Sequence, residues 1–217
     1  MSEIRIVRHG QAQTGATDEA SYDRLSDLGH QQAGWLGEHL RNTLMPDLII
    51  HGGLRRQKET AASLALDGVP MEEDARLNEL DYFGMAKHMT DHHGLAQPFD
   101  GPTFATFLPQ LLRAWRAGDM AAGLETYADF CDRIMAALQD AAGRDGRVLL
   151  VSSTGVIATL AGLSLDLDPM RNSKLFLAVT HTSISKYEVA AGELFLSQYA
   201  ATPHLDRPDR EGLRTTV

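Results

Sequence analysis

The 217-residue sequence contains one cysteine, Cys131, and no apolar run that approaches the roughly 18 residues needed for a membrane-spanning helix. A single cysteine excludes an intramolecular disulfide bond, and the missing apolar run excludes a helix that crosses a bilayer. Charged residues occur as early as Glu3 and Arg5, so the first residues lack the apolar core of a secretory signal peptide. We therefore expect a cytoplasmic protein.

Positive charge is also scarce, because 20 lysines and arginines stand against 29 aspartates and glutamates, which gives a formal net charge of -9. An acidic surface repels nucleic acid and anionic membranes, so we expect neither as a partner. A small anionic ligand is compatible with this composition, since a few arginines in a pocket determine the local field.

The order of apolar segments indicates an α/β fold. Short apolar or β-branched runs predict strands at residues 4–7, 47–50, 148–151, 183–189 and 193–199. Helical spacing of apolar residues predicts a first helix that begins near Ser26. The same spacing predicts three further helices, at residues 54–66, 124–142 and 156–163. Alternating strands and helices are typical of a sheet covered by helices, and the last two strands predict a hairpin.

The chain length and its 43% hydrophobic residues indicate one domain, which we assign to residues 1–200. Within it, residues 84–123 contain no convincing strand, and we interpret them as a helical or irregular insertion that caps the active site. Residues 201–217 contain two prolines and many charges, so we expect an exposed C-terminal tail.

Three predicted strand ends carry polar residues that suit the binding of a dianion. They are Arg8-His9-Gly10, residues 54–56 and residues 152–155. Ligands of open α/β sheets bind beyond the carboxyl ends of the strands, so these segments can converge. Together they offer a histidine, arginines that match phosphate oxygens, hydroxyls and the N–H groups of a helix N-terminus.

A histidine in such a site can also act as a nucleophile. Neutral imidazole can attack phosphorus and form a phosphohistidine, which divides the transfer into two steps. The leaving alcohol then needs a proton, and water later needs a base. Our candidate for both roles is Glu79.

These segments resemble the motifs of the histidine phosphatase superfamily, whose members are similar to cofactor-dependent phosphoglycerate mutase. The family's Arg-His-Gly follows the first strand as Arg8-His9-Gly10, with Gln11 next. Its further motifs match residues 25–33, 54–61, 77–79 and 151–157. The match covers most of the chain and is weakest in residues 84–123 and after residue 200.

The resemblance implies a three-layer α/β/α sandwich with a mostly parallel central sheet and helices on both faces. It implies that His9 is the phosphorylated nucleophile and Glu79 the general acid and base. Arg8 and Arg56 would bind the phosphoryl oxygens. Gly10, Ser153 and Thr154 complete the phosphate-binding set that we assign. The resemblance implies no metal and no organic cofactor.

The sequence departs from the family at the last motif, where Ser153 occupies the position of a second histidine. Loss of a preorganised donor to the transition state commonly lowers the rate by about 10²–10³. Two unusual histidines, His51 and His181, occur in segments next to the site. We hypothesise that one of them partly replaces the missing imidazole, and we group both with Gln11 as auxiliary residues.

A second histidine cluster lies in the insertion and consists of His88, His92 and His93, with Asp91 between them. Its spacing matches no recognised zinc pattern, and adjacent histidines diverge on a helix. We therefore expect exposed residues and no metal site.

Three functions stay open at this point. The first is a phosphatase that hydrolyses a small phosphate monoester through His9. The second is a phospho-ligand binding or regulatory protein, which Ser153 favours. The third is a mutase, which we rank lower because the insertion has few basic residues for a doubly phosphorylated intermediate. The expected partner is a small phosphorylated substrate, and a homodimer that uses the tail is one arrangement we consider.

Overall fold

A computed structural model describes residues 2–14, 18–191 and 193–216. The strands are β1 (Ser2–Arg8), β2 (Leu48–His51), β3 (Met71–Glu73), β4 (Val148–Ser152), β5 (Ile184–Ala190) and β6 (Glu193–Ala201). The helices are α1 (Glu19–Tyr22), α2 (Asp27–Asn42), α3 (Arg55–Ser63), α4 (Tyr82–His93), α5 (Gly101–Arg116), α6 (Tyr127–Ala142), α7 (Thr154–Ser164) and α8 (Pro169–Ala178). None of these helices has the length and apolar character to cross a membrane.

The strands form one six-stranded sheet in the order β3-β2-β4-β1-β5-β6. The first four are parallel to one another, whereas β5 is antiparallel to β1 and forms the predicted hairpin with β6. The prediction of a mostly parallel α/β sheet is confirmed. Because β1 is an inner strand between β4 and β5, its carboxyl end lies near the middle of the edge that the strand ends form.

Side chains of successive strand residues alternate between two separate cores. Ile6 and Leu150 belong to the larger core, which packs against α5, α6 and α7. Val7 and Val151 belong to the smaller core, which packs against α2 and α3. Successive residues of a strand point to opposite faces, so each strand contributes to both cores. The result is the expected arrangement of helices on both faces of the sheet.

Several elements differ from the sequence-based expectation. The sequence pattern does not predict the short edge strand β3, because its residues are exposed and lack an apolar pattern. Helix α8 is also not among the predicted helices. The insertion contains two regular helices, α4 and α5, and both begin with an aspartate cap that accepts a backbone hydrogen bond. Such caps stabilise the first turn by satisfying free N–H groups.

The expectation of an exposed C-terminal tail is wrong. His204, Leu205 and Arg210 are buried. The Arg210 guanidinium lies 4.7 Å above the Trp35 ring, and Gln32 Nε2 donates to the Leu213 carbonyl at 2.8 Å. The charged tail therefore packs on α2 of its own chain, because its arginines find an aromatic face and polar partners there.

Helix α2 approaches the end of α3 so closely that only glycine fits at one position. A Cβ atom on Gly37 would lie 1.9 Å from the Leu64 carbonyl oxygen. Gly34 lies on the same helix, but a Cβ there would be no closer than 3.9 Å to Ser63 O.

We expect Gly37→Ala to lower the free energy of unfolding by about 1–3 kcal/mol, the usual cost of overpacking. The matched variant Gly34→Ala should leave it unchanged or raise it by up to about 1 kcal/mol, since alanine favours a helix. Urea unfolding followed by circular dichroism measures both values. Equal stabilities of the two variants would contradict the close approach.

Candidate active site

The carboxyl ends of β1, β2 and β4 converge as the sequence predicts. Arg8 pairs in register with Ser152, and the His9 N–H donates to the Ser152 carbonyl at 2.9 Å. The Gly52 N–H donates to the Val151 carbonyl at 3.1 Å. Parallel pairing therefore brings the segments that follow all three strands to one edge of the sheet.

His9 is buried, with 2% of its surface exposed, and its ring orientation is fixed by its neighbour. Nδ1 lies 2.8 Å from the Gly10 carbonyl oxygen, which can only accept a hydrogen bond. The proton of neutral imidazole therefore belongs on Nδ1, and Nε2 keeps its lone pair. Burial holds the pKa of His9 well below its usual value, and the charges of Arg56 and Arg8 lower it further.

Arg56 lies in the first turn of α3 and is buried, with 1% of its surface exposed. Its Nη1 donates to Asp23 Oδ1 at 3.0 Å. The Asp23 carboxylate also accepts from the backbone N–H groups of Arg55 and Arg56, which begin α3. Asp23 thus caps a helix whose own N-cap, Leu54, has no polar side chain.

Arg8 extends from the end of β1 toward the C-terminal residues. Its Nη1 donates to the carbonyl oxygens of Val179 and Thr216. Its Nε is buried and makes no hydrogen bond with any residue that the structure describes. Buried arginine N–H groups normally have an acceptor, so an unpaired one indicates a place for an oxyanion.

Glu79 follows a short 3-10 helix and reaches the N-terminus of α7. Its carboxylate accepts from the Gly155 N–H and the Leu80 N–H, both at 3.0 Å. Burial raises the pKa of Glu79, while the Gly155 hydrogen bond and the charge of Arg56 act in the opposite direction. A Cβ atom on Gly155 would lie 2.1 Å from Glu79 Oε1, so glycine is needed for this approach.

Ser153, which occupies the position of the family's second histidine, is fully buried. Its Oγ accepts a hydrogen bond from Gln57 Nε2 at 2.9 Å, and it does not cap α7. The Gln57 amide also donates to the Leu77 carbonyl. Next to it, Thr154 Oγ1 is buried without a partner among the described residues.

Of the two unusual histidines, His181 is the one beside His9. Their ring centroids are 5.6 Å apart. Nδ1 of His181 lies 3.0 Å from the Thr215 carbonyl oxygen, which can only accept a hydrogen bond, and 2.8 Å from Thr215 Oγ1. The proton of the neutral ring therefore lies on Nδ1, and the buried Nε2 has no partner among the described residues. Burial and the charge of Arg8 hold the pKa of His181 well below its usual value. His51 instead pairs in register with Glu73 of the outer strand β3, and its Nδ1 lies 2.9 Å from the Gly52 carbonyl oxygen.

Gly10 and Gln11 connect the end of β1 to helices α3 and α2. The Gly10 N–H donates to Thr60 Oγ1 at 3.0 Å, and a Cβ atom on Gly10 would lie 2.4 Å from the Gly29 carbonyl oxygen. Gln11 Oε1 accepts from Ser26 Oγ at 2.7 Å. In this arrangement the Gly10 N–H is committed to Thr60, and Gln11 fixes the beginning of α2.

A sequence profile of the histidine phosphatase superfamily (branch 1) matches residues 4–202. The chain belongs to this superfamily. The family's conserved profile thus ends where the tail begins, and the contacts of Thr215 and Thr216 with the site lie outside the matched region.

Solved structures of phosphatases share the fold of this histidine phosphatase superfamily member. A variant of phosphoserine phosphatase from Entamoeba histolytica, in complex with phosphoserine, is 19% identical with a TM-score of 0.68, covering 94% of this chain and 100% of its own. Mycobacterial glucosyl-3-phosphoglycerate phosphatase with VO3 is 25% identical with a TM-score of 0.66, covering 93% and 100%. No curated protein sequence matches significantly. Family and neighbours support a phosphatase activity.

The sequence patterns did not single out several residues of the site, among them Asp23, Gln57 and Tyr22. Asp23 pairs with Arg56, and Gln57 donates a hydrogen bond to Ser153. Tyr22 lies with its ring 6.3 Å from the His9 ring and under the Arg56 guanidinium at 5.0 Å. Gln57 lies on the same helix as Arg56 within a recognised motif, so that motif pointed to it. Tyr22 and Asp23 belong to a segment without periodicity, which carries no comparable signal.

Oxyanion binding should depend on Arg56 and not on Arg55, its exposed neighbour. We expect Arg56→Gln to weaken orthovanadate binding about 10- to 100-fold, the worth of a hydrogen bond to a charged group. Arg55→Gln should bind like the unaltered protein, because the Arg55 side chain is exposed and pairs with Glu59. Isothermal titration calorimetry measures both, with circular dichroism as a folding control. Equal affinities would rule out Arg56 as an oxyanion ligand.

Proposed function

We propose that this protein is a phosphatase that hydrolyses a small phosphate monoester through a phosphohistidine on His9. The observation that carries the proposal is the hydrogen bond between His9 Nδ1 and the Gly10 carbonyl oxygen. It leaves the Nε2 lone pair as the nucleophile, and the lowered pKa keeps that nitrogen unprotonated at neutral pH. Binding alone would need the arginines and no such nucleophile.

In the first step, His9 Nε2 attacks phosphorus, the bond from phosphorus to the ester oxygen breaks, and the alcohol leaves. The Glu79 carboxyl donates the proton that the leaving oxygen takes up. Burial supports this role, because it raises the pKa of Glu79 and so favours the protonated form at a given pH.

In the second step, a water molecule attacks the phosphorus of phosphohistidine and the bond between phosphorus and Nε2 breaks. The Glu79 carboxylate takes the proton of the water, inorganic phosphate leaves, and the starting state of both residues is restored. One residue serves as acid and then as base, as microscopic reversibility requires.

Arg8 and Arg56 supply the positive charge for the phosphoryl oxygens. The unpaired Nε of Arg8 provides a donor that the chain itself leaves without an acceptor among the described residues. Arg56 exchanges part of its interaction with Asp23 for the substrate. In a buried site these charges act strongly on a transferring phosphoryl group.

His181 partly replaces the imidazole that Ser153 lacks. Nδ1 of His181 holds a proton against the Thr215 carbonyl oxygen, so Nε2 donates to a phosphoryl oxygen beside His9 when the ring takes up a second proton, which the negative charge of that phosphoryl group favours. Ser153 instead holds Gln57. The donor then comes from the loop before β5 and not from the start of α7.

The substrate is a small one. Tyr22 lies edge-on to the His9 ring, and the Phe83 ring of α4 lies 6.4 Å from Tyr22. These aromatic side chains narrow the approach to His9 from the insertion. The neighbours that bind phosphoserine and hydrolyse glucosyl-3-phosphoglycerate support a phosphorylated metabolite as the substrate class.

His9→Ala should lower phosphate release at least about 1,000-fold for every ester that the unaltered protein cleaves, because the nucleophile is lost. Acid quenching during turnover of a 32P-labelled ester should trap an acid-labile phosphoenzyme in the unaltered protein and none in His9→Ala. The control His30→Ala removes an exposed histidine of α2 and should change neither result.

Tight binding of vanadate without His9-dependent release from any ester would contradict hydrolysis and favour the phospho-ligand binding protein.

His181→Asn should lower kcat about 10²- to 10³-fold with little change in KM, since the donor acts on the transition state. The matched variant His51→Asn removes the other unusual histidine and should keep its kcat within about twofold of the unaltered enzyme, because His51 pairs with the outer strand β3. Steady-state kinetics on the same ester measures both. Equal kcat values for the two variants would show that His181 does not replace the missing imidazole.

A further inference from the structure

The insertion brings together three metal-ligating side chains outside the phosphate site. Ring nitrogens of His88 and His93 and a carboxylate oxygen of Asp119 all lie within 4.8 Å of one another. His88 and His93 are on α4, whereas Asp119 follows α5. The cluster thus combines residues that the sequence spacing alone did not connect.

His88 corrects the expectation that the histidines of the insertion are exposed. It is only 9% exposed, and neither of its ring nitrogens has a hydrogen-bond partner among the described residues. Buried polar groups almost always have a partner, so two unpaired nitrogens on one imidazole are unusual. A metal ion on one of them would satisfy it.

The geometry of the cluster suits a small divalent ion. His93 Nε2 lies 3.3 Å from Asp119 Oδ2. Zinc bonds to nitrogen and carboxylate oxygen are about 2.0–2.2 Å long, so the edge of a tetrahedral site measures about 3.3–3.6 Å. Two of the ligand atoms are therefore already at the spacing that a tetrahedral ion requires.

The local field also favours a cation. The cluster lies at the C-terminal ends of two helices, where backbone carbonyls carry partial negative charge. Helix α4 ends at His93 with Gly94 as its left-handed cap, and the Asp119 N–H donates to the Ala114 carbonyl near the end of α5. These caps hold the backbone of His93 and Asp119 in place.

We propose that His88, His93 and Asp119 bind one Zn²⁺ ion, with water at the fourth position. Two imidazoles and a carboxylate are ligands that suit zinc and similar divalent transition metals. The His92 ring is 4.6 Å from the His88 ring, but His92 is not part of the mutually close set, so it is not a ligand.

The role of this ion is structural. It ties the end of α4 to the end of α5, while Phe83 near the start of α4 contacts Tyr22 over His9. A metal at this place stabilises the insertion that narrows the approach to the phosphate site. It takes no part in the chemistry proposed for His9, so the two proposals can fail separately.

The test uses the full-length His9→Ala protein, stripped of metal with EDTA and titrated with Zn²⁺ in a calorimeter. We expect one ion per chain and a melting temperature that rises with Zn²⁺ concentration, since the ion binds the folded state. The exposed ligands are changed in His93→Ala and Asp119→Asn. Each should weaken binding at least about 10-fold, because even changes next to a ligand weaken metal affinity 10- to 100-fold.

Two controls make the result decisive. His30→Ala and His92→Ala each remove an exposed histidine and should change the affinity less than about threefold, because neither residue is a ligand. Unchanged affinity in His93→Ala and Asp119→Asn, or no saturable binding at all, would overturn the proposal. An equal loss in His92→Ala and His93→Ala would overturn the assignment of the three ligands.

Discussion

Two arginines are buried at the same sheet edge, and the rest of the site depends on how their charge is compensated. Removing a guanidinium from water costs several kcal/mol unless partners replace the solvent. Asp23 provides a carboxylate for Arg56, and carbonyl oxygens of Val179 and Thr216 accept from Arg8. Burial is the main cause of the lowered pKa values of His9 and His181, and the arginine charges lower them further, since a protonated ring would add a third cation.

This compensation fits the proposed binding of a dianion. Asp23 caps α3 with the same carboxylate that pairs with Arg56, so it is held by backbone N–H groups as well as by charge. In the proposed function, a phosphate group shares Arg56 with Asp23. The C-terminal residues complete the other half, because Thr215 holds the His181 ring and Thr216 accepts from Arg8. The end of the tail, which lies beyond the family match, therefore contacts two site residues and fixes the positions of their side chains.

The recognisable part of the site could be predicted because its residues sit in local patterns. His9 and Arg56 follow predicted strands, and the topology rule for parallel sheets then brings them together. The partners of these residues could not be predicted in the same way. Asp23 reaches α3 from a segment without periodicity, and the contacts of Thr215 join residues that are far apart in sequence. The tail was misjudged because prolines and charges usually indicate exposure, whereas Arg210 stacks on Trp35.

The position of Ser153 connects these points. A histidine at the start of α7 would place one more imidazole beside His9, His181 and the two buried arginines. A further cation is unfavourable there. Ser153 instead accepts a hydrogen bond from Gln57 and adds no charge. In the proposed mechanism the imidazole is that of His181, whose ring is held by Thr215 of the tail. Ser153 thus fits the proposed donor set, in which contacts of the tail, and not the start of α7, hold the second imidazole beside His9.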